Sequence, residues 1–376
     1  MKPVLFVTGH APGYRVGAFA RLHEREGIEL ALFGGRSKHG GADFEGELPF
    51  PHRHVRPHEL EALAASGRYR AVVCPTGGRV APLATWIGAR RGHVPLILWA
   101  SLWAHPRTPS HALTYLPLRA LYRSADAVVT YGPHVSAYVS ARGASNVHVA
   151  SQAVDNYFWR SPDVAPPSDP RWPSAAGVKL LFVGRPDREK GIEVLLDAWR
   201  ASGLKEPAAA LALVGVGPAP HLHGDSHATR LPDGVVGLDP VTPVELRNVY
   251  AAADVLVLPS IATRTFREPW GLVINEAMNR GLAVITSDAV GAAAGGLVRD
   301  DENGLVVPAG DSAALARALA RLASDAPLRA RLGAAGANSV AAYSQDAWAT
   351  GFSRALSSLD LSASQSLSPA SVGSFG

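Results

Sequence analysis

Cysteine is almost missing from the sequence, since Cys74 is the only one among 376 residues. A single thiol cannot form an internal disulfide framework, which excludes a disulfide-stapled secreted domain and favours a reducing compartment. Cys74 directly follows Val72 and Val73. We therefore interpret it as a buried structural thiol and not as a nucleophile.

Long hydrophobic runs are also missing. The longest, VPLILWASLWA at 94–104, has about half the length of a membrane-spanning helix. The opening MKPVLFVTG is too short for the core of a signal peptide and is typical of a buried first strand. No basic stretch is interleaved with aromatic residues, so nucleic acid is not an expected partner. These features together predict a cytoplasmic protein.

Charge is distributed unevenly along the chain. The first 160 residues contain 18 Lys and Arg against 10 Asp and Glu, whereas the remaining residues contain 18 against 22. This difference indicates that the two halves meet different partners. The basic first half would suit a charged ligand or peripheral contact with the inner face of an anionic membrane, and a solvated surface explains much of the excess equally well.

Short apolar runs alternate with amphipathic stretches in both halves, which predicts βαβ units and parallel sheets. Strands are predicted at 4–8, 29–33, 71–74, 96–99, 127–130, 147–150, 179–183, 210–214, 255–258 and 283–286. The predicted organisation is a Rossmann-like domain at 1–160, a Pro-rich linker at 161–177, a second Rossmann-like domain at 178–345, a closing helix at 346–358 that could return to the first domain, and a disordered Ser-rich tail at 359–376. In this α/β architecture, both sheets face a central cleft, where ligands of such folds bind.

The segment LFVGRPDREKG at 181–191 combines a buried strand with two cations. Arg185 and Lys190 flank a short loop that opens a helix. Helix amides and cationic side chains together bind phosphate, because both neutralise its charge. The segment is a candidate diphosphate site, although a solvated surface loop would have similar composition.

The segment REPWGLVINEAMNRG at 267–281 carries two glutamates separated by seven residues. Glu268 precedes the predicted helix, Gly271 stands at its start, and Glu276 lies inside it among apolar neighbours. A carboxylate on such a helix needs a partner, and sugar or ribose hydroxyls are suitable donors. The alternative is a pair of ordinary surface glutamates.

These segments resemble family 4 of the retaining glycosyltransferases with the GT-B fold. The resemblance rests on FVGR-x4-KG at 182–191, YAAADVLVLPS at 250–260, EPWGLVINEAMNRGLAVITSD at 268–288 and NGLVVPAGD at 303–311. The first half matches through SADAVVTYG at 124–132 and VDNYF at 154–158. Where the family often carries a Gly-Gly pair, this chain has TGHAPGYRVG at 8–17.

The resemblance implies roles for individual residues. Arg185 and Lys190 would bind the donor diphosphate and stabilise the leaving group. Glu268 would contact hydroxyls of the donor sugar, and Glu276 those of the ribose. Four of the implied residues would take part in catalysis: Arg185, Lys190, Glu268 and His105, the last through its resemblance to a histidine near the transferred sugar.

The backbone and the glycines complete the implied donor site. The amides at Gly271 and Leu272 would hold the distal phosphate, and Gly237 and Leu238 would contact the nucleotide base. Gly13, with Gly9, would admit the diphosphate and acceptor near the first strand. His10 follows that strand, where an inverting enzyme of this fold would carry a general base; a polar residue lining the cleft is the alternative.

The expected reaction is a retaining transfer of a hexose-type sugar, from a UDP- or GDP-linked donor to a hydroxyl of a lipid-linked glycan or small molecule, in glycan biosynthesis. The chain contains no Asp-x-Asp sequence, and we expect no metal or other cofactor. His221, His223 and His227 form a His-rich loop, for which metal binding is a weaker hypothesis. A nucleotide-sugar epimerase of the same fold and a two-lobed sugar-binding protein remain the alternatives.

Overall fold

The computed structural model describes residues 1–34, 47–78, 80–218 and 230–363, without the side chains of Ser110 and His111. The His-rich loop and the end of the Ser-rich tail lie outside the described residues. The chain divides into two compact units. The first contains Met1–Trp103, Pro109–Ala153 and the chain from Gln345 onward, and the second contains Ala104–Thr108 and Val154–Ser344.

The first unit is built on a parallel sheet in the order β3-β2-β1-β4-β5-β6-β7. Its strands are β1 Val4–Thr8, β2 Ile28–Leu32, β3 His52–His54, β4 Ala71–Pro75, β5 Leu96–Ala100, β6 Ala127–Thr130 and β7 Val147–Val149. The helices before the domain boundary are α1 Gly13–Glu26, α2 Leu60–Ala64, α3 Ala81–Arg91, α4 Pro109–Ser124 and α5 Pro133–Ser140. Apolar clusters cover both faces of the sheet, which is why its central strands are mostly apolar.

The second unit has a parallel sheet in the order β10-β9-β8-β11-β12-β13. Its strands are β8 Val178–Val183, β9 Ala209–Val214, β10 Val235–Leu238, β11 Val255–Leu258, β12 Ala283–Ser287 and β13 Leu305–Val307. Its helices are α6 Asn156–Arg160, α7 Ile192–Ser202, α8 Pro243–Ala252, α9 Leu272–Asn279, α10 Gly291–Ala294, α11 Ser312–Ser324 and α12 Ala326–Val340. The central pairs β8–β11 and β11–β12 carry at one edge the loops that form the candidate site.

The proline-rich residues 161–177 form no helix or strand. They lie against the second unit: the Ala165 amide donates to Asn248 at 3.0 Å, and the Ser168 amide donates to Glu245 at 2.6 Å. Trp172 is buried. Because the long continuous part of the second unit begins at Val154, this segment belongs to the surface of that unit.

The last helix, α13 at Gln345–Ser357, packs in the first unit, far along the chain from the rest of it. Trp348 and Phe352 are buried there. The Phe352 ring lies 5.3 Å from that of Phe6, and the Trp348 ring lies 5.6 Å from that of Phe19. Each such aromatic pair contributes about 0.5–1.5 kcal/mol beyond the area it buries, so α13 is an integral part of this core. Among the described residues, none of the helices combines the length and hydropathy needed to cross a bilayer.

Candidate functional site

Lys190 and Glu268 form an ion pair at the carboxyl edge of the second sheet, with 2.5 Å between Lys190 Nζ and Glu268 Oε2. The side chains are only 18% and 9% exposed. The Ser260 hydroxyl also donates to Glu268 Oε2, at 3.3 Å. Water screens such an enclosed pair less than a surface pair. The cation and the carboxylate that the sequence singled out are therefore in direct contact.

The loops that carry this pair are tied together through their backbones. The loop after β8 ends in a short 3₁₀ turn, Arg188–Lys190, and the Ile261 amide from the loop after β11 donates to the Glu189 carbonyl at 2.9 Å. Gly191 has φ 73°, and an added Cβ would lie 2.1 Å from the Pro259 carbonyl oxygen. Only glycine permits both that backbone angle and that approach, so Gly191 fixes the position of Lys190.

Glu268 is also held by its own backbone. It forms an isolated parallel bridge with Val290, and its carbonyl accepts from the Gly291 amide at 3.0 Å. An added Cβ at Gly291 would lie 1.9 Å from the Pro269 carbonyl oxygen. This close crossing of two backbones orients the Glu268 side chain toward Lys190 without depending on the flexibility of the loop.

The start of α9 has the features of an anion site. Gly271 has φ 91°, and its missing side chain leaves room for Leu258, whose Cδ2 would lie 2.7 Å from an added Cβ. The N-cap residue is this glycine, which has no side chain to cap the helix. The N-cap residue therefore offers no side-chain acceptor to the amides of the first turn, including that of Leu272, and an anionic ligand can supply one.

Glu276 lies one and a half turns into α9 and remains partly exposed. The hydroxyl of Tyr250, which is fully buried, donates to Glu276 Oε2 at 2.8 Å. Desolvation raises the pKa of Glu276 to about 7, and the hydrogen bond from Tyr250 opposes that shift. Burial, followed by the neighbouring Glu276 charge, also raises the pKa of Tyr250. Tyr250 was not predicted as a site residue, although it opens the motif YAAADVLVLPS.

Arg185 extends from the loop after β8 and pairs with Asp187 at 2.7 Å. Its side chain is 51% exposed, so the pair is solvated and contributes about 1 kcal/mol at most. Arg185 is on the same loop as Lys190, but the guanidinium pairs with its near neighbour Asp187. An anionic ligand could replace Asp187 at little cost.

Gly237 and Leu238 lie within β10, at the edge of the second sheet. The Leu238 carbonyl accepts from the amides of Gly215 at 3.0 Å and Gly217 at 2.9 Å. An added Cβ at Gly237 would lie 2.1 Å from the Gly217 carbonyl oxygen. The two residues thus hold the glycine-rich turn after β9 against the strand edge.

His105 belongs to the short segment Ala104–Thr108, which groups with the second unit. The neighbouring Arg107 amide donates to the Arg264 carbonyl at 2.6 Å. Arg264 lies four residues before Glu268, so this segment borders the loop of the Lys190–Glu268 pair. The family resemblance assigned His105 to the candidate site. The hydrogen bond between the Arg107 amide and the Arg264 carbonyl places the segment of His105 beside the loop that carries Glu268.

Gly13 begins α1 in the first unit, and an added Cβ there would meet nothing within 4 Å. The fold itself therefore does not require glycine at this position. By contrast, an added Cβ at Gly34 would lie 2.4 Å from the Gly9 carbonyl oxygen, so the turn after β1 is closely packed. His10 lies in that turn. Within the described part of the chain, no three His, Cys, Asp or Glu residues form a metal-binding group.

The comparison with protein families matches residues 177–325 to the model described as Glycosyl transferases group 1. A phosphatidyl-myo-inositol mannosyltransferase of Mycobacterium leprae is 39% identical over 168 residues, which cover 44% of this chain and 43% of that protein. A D-inositol 3-phosphate glycosyltransferase of Salinispora arenicola is 36% identical over 169 residues, 42% of this chain and 36% of that protein. The match thus spans less than half the length of these relatives.

Solved structures resemble nearly the whole chain. Sucrose-phosphate synthase from Thermosynechococcus elongatus has a TM-score of 0.71 at 22% identity, covering 96% of this chain and 99% of that one. Anabaena Alr3699/HepE in complex with UDP-glucose has a TM-score of 0.71 at 19% identity, covering 95% and 100%. At such low identity the likeness concerns the fold alone, and it confirms the predicted GT-B class with two Rossmann-like parallel sheets.

Proposed function

Because residues 177–325 match the model described as Glycosyl transferases group 1, we propose that the whole protein is a glycosyltransferase acting in glycan biosynthesis. It moves a hexose-type sugar from a UDP- or GDP-linked donor to an acceptor hydroxyl. The observation that carries this proposal is the enclosed contact of Lys190 with Glu268 beside the glycine N-cap of α9. One cation, one carboxylate and a set of amides there match the diphosphate and hydroxyls of a nucleotide sugar.

When the donor binds, its diphosphate replaces the carboxylate partners of two cations. In the free protein, Glu268 neutralises Lys190 and Asp187 neutralises Arg185. When the donor binds, its diphosphate takes over both cations and accepts hydrogen bonds from the amides of Gly271 and Leu272. Glu268 then accepts hydrogen bonds from hydroxyls of the donor sugar, while Glu276 accepts those of the ribose.

The chemical step breaks the bond between the anomeric carbon and the diphosphate oxygen. Negative charge grows on the leaving diphosphate, and Lys190, Arg185 and the helix amides stabilise that charge. The acceptor oxygen forms the new bond on the same face of the sugar, and its proton passes to the leaving phosphate. The configuration at the anomeric carbon is retained. Charge neutralisation by these groups makes the reaction independent of a metal ion.

The remaining predicted residues complete the proposed site. Gly237 and Leu238 contact the nucleotide base, His105 contacts the transferred sugar, and Gly13 admits the diphosphate and acceptor beside the first sheet. The acceptor is a lipid-linked glycan or a small molecule. Two relatives are named for inositol-containing substrates, which supports a polyol acceptor. The basic first half supports peripheral contact with the inner face of an anionic membrane, in a cytoplasmic location.

The proposal is tested by thermal-shift titration of the purified protein with UDP, GDP, TDP and ADP in the presence of EDTA. One nucleotide is expected to raise the unfolding midpoint with increasing dose, because ligands of the native state stabilise it. The matching nucleotide sugar should then turn over only when an acceptor is added. Isomerisation of the free donor would identify an epimerase, and binding without turnover in any acceptor mixture would identify a sugar-binding protein.

A further inference from the structure

The motifs YAAADVLVLPS and VDNYF meet in the second unit, around a residue that the proposed function has not used. Tyr250, near the end of α8, is fully buried and bonds Glu276 on α9. Its ring packs edge to face against Trp159 of α6, with 5.6 Å between the ring centroids. Trp159 is itself only 6% exposed. The buried rings of Tyr250 and Trp159 thus support the Glu276 carboxylate.

The short helix α6 also holds α9 directly. The side-chain amide of Asn279 donates to Asn156 Oδ1 at 2.8 Å, and Arg160 Nε donates to Asn279 Oδ1 at 2.7 Å. Asn279 lies three residues after Glu276, about one turn along the helix. Consequently, α6 fixes α9 at two adjacent turns, once directly and once through the tyrosine.

The hydrogen bond from Tyr250 involves one of the two oxygens of the Glu276 carboxylate. Oε2 accepts from the buried phenol, while the side chain as a whole remains partly exposed. A carboxylate has about four acceptor positions, so it can accept one bond from a tyrosine and still accept bonds from two ligand hydroxyls. The tyrosine restricts the rotation of the carboxylate and thereby lowers the entropy lost when a ligand binds.

We infer that Tyr250, backed by Trp159, is a positioning residue that orients Glu276 toward the vicinal ribose hydroxyls of the donor nucleotide. The inference rests on the proposed function, because it needs a nucleotide in the site. Tyr250 does not contact the ligand itself. Its effect is transmitted through one hydrogen bond, which makes the effect specific to ligands that carry the two hydroxyls.

The test compares Tyr250→Phe with the wild type by calorimetric titration of UDP and GDP, each also as its 2′,3′-dideoxy form. The variant keeps the ring against Trp159 and loses only the hydroxyl. We expect about 5- to 30-fold weaker binding of the ribonucleotide, the loss typical of one buried hydrogen bond, and unchanged binding of the dideoxy form. Tyr157→Phe is the matched control, because Tyr157 is on the same helix as Trp159 and is 90% exposed.

A double-mutant cycle with Glu276→Gln identifies the route of the effect. If the tyrosine acts through Glu276, adding Tyr250→Phe to Glu276→Gln should weaken ribonucleotide binding no further. Equal losses for the ribo and dideoxy forms would mean that Tyr250 only supports the fold, and that result would overturn the inference. Unchanged ribonucleotide binding in Tyr250→Phe would overturn it as well.

Two further outcomes are distinguishable. If wild-type protein binds neither UDP nor GDP, the proposed function fails and the inference fails with it; if wild type binds and only the variant prediction fails, the proposed function stands. Should Tyr250→Phe not fold, as judged by circular dichroism, Trp159→Phe replaces it. A loss confined to the ribonucleotide would then support the inference, and an equal or absent loss would contradict it.

Discussion

Arg70 donates to Glu26 Oε2 at 3.0 Å in the first unit, and the carboxylate side chain is fully shielded from solvent. Two groups from the end of the described chain bond the same carboxylate: the Ser362 hydroxyl at 3.0 Å and the Ala363 amide at 2.9 Å. Arg70 Nε also donates to the Leu361 carbonyl at 2.8 Å. The buried ion pair therefore anchors residues 361–363.

Replacing Arg70 with Met should destabilise the protein by about 3–5 kcal/mol, because removal of one partner leaves a buried charge uncompensated. Urea denaturation followed by tryptophan fluorescence measures the change. Arg68→Met is the control, since Arg68 is 56% exposed and lies 3.8 Å from Glu29. Equal midpoints for the two variants would contradict this account. Deleting residues 361–376 should also lower stability, by removing the other partners of Glu26.

The two glycines that bound α7 provide a matched pair. Gly191 and Gly203 have φ of 73° and 69°, but an added Cβ meets the Pro259 carbonyl oxygen at 2.1 Å in the first case and nothing within 4 Å in the second. Gly203→Ala should cost about 1 kcal/mol, the penalty of the left-handed backbone alone. Gly191→Ala should cost several times more and weaken nucleotide binding, because the loop bearing Lys190 must move. Similar unfolding midpoints for both variants would show that the backbone contact is unimportant.

Lys190→Ala should reduce kcat/KM for the nucleotide sugar by two or more orders of magnitude, since the removed ammonium stabilises the leaving diphosphate. Steady-state kinetics with the donor identified by thermal shift provides the measurement. Lys205→Ala serves as the control, because Lys205 is exposed and outside the site. A near-normal rate for Lys190→Ala would mean that the diphosphate binds elsewhere.

The pKa of Glu276, raised from 4.5 to about 7, has opposite consequences for stability and for binding. Between these values the native state holds a proton that the unfolded state has lost, so this group's contribution to stability is full below pH 4.5 and is lost as the pH rises through 7. Ribose hydroxyls, in contrast, are bound best by the ionised carboxylate. Nucleotide affinity should therefore rise from pH 6 to pH 8 while the stability contribution falls.

Glu276→Gln removes the titrating carboxyl group and therefore tests both the predicted rise in affinity and the predicted fall in stability. As the pH rises from 5 to 8, the free energy of unfolding of the variant should increase relative to that of wild type. Its nucleotide affinity should be weaker than that of wild type and less dependent on pH. Thermal unfolding and titration calorimetry across this range are the measurements. Glu302→Gln, on an exposed loop, should follow wild type in both. A wild-type affinity that is flat with pH would remove Glu276 from ribose binding.

Strands with continuous Val, Leu and Ile were readily predicted from the sequence, because buried parallel strands have no polar face. Several elements were not predicted, and two of them show the physical reasons. The edge strand β3 reads His-Arg-His and is largely exposed, so it carries no apolar pattern. The helix α1 contains Gly17, which normally weakens a helix; an added Cβ there would lie 2.3 Å from Gln345 Oε1, so the glycine serves a tertiary contact.

The candidate site was predicted in part for similar reasons. Lys190 and Glu268 were both singled out, because a cation after one strand and a carboxylate after another are recognisable in sequence. Their direct pairing was not foreseen, since it depends on how two loops cross. The Tyr250–Glu276 bond joins two helices that are separated by a strand, and nothing in local spacing indicates it.

The position of α13 late in the chain determines when the core of the first unit can be completed during synthesis. Trp348 and Phe352 pack against Phe6 and Phe19, which precede them by more than 300 residues in the chain. The second unit, apart from Ala104–Thr108, is continuous from Val154 to Ser344. It can therefore fold during translation, before α13 has been synthesised. Domains usually fold in the order in which they emerge. Here the core of the first unit is completed only after the second unit has been synthesised, so its exposed apolar surface must be protected until α13 emerges.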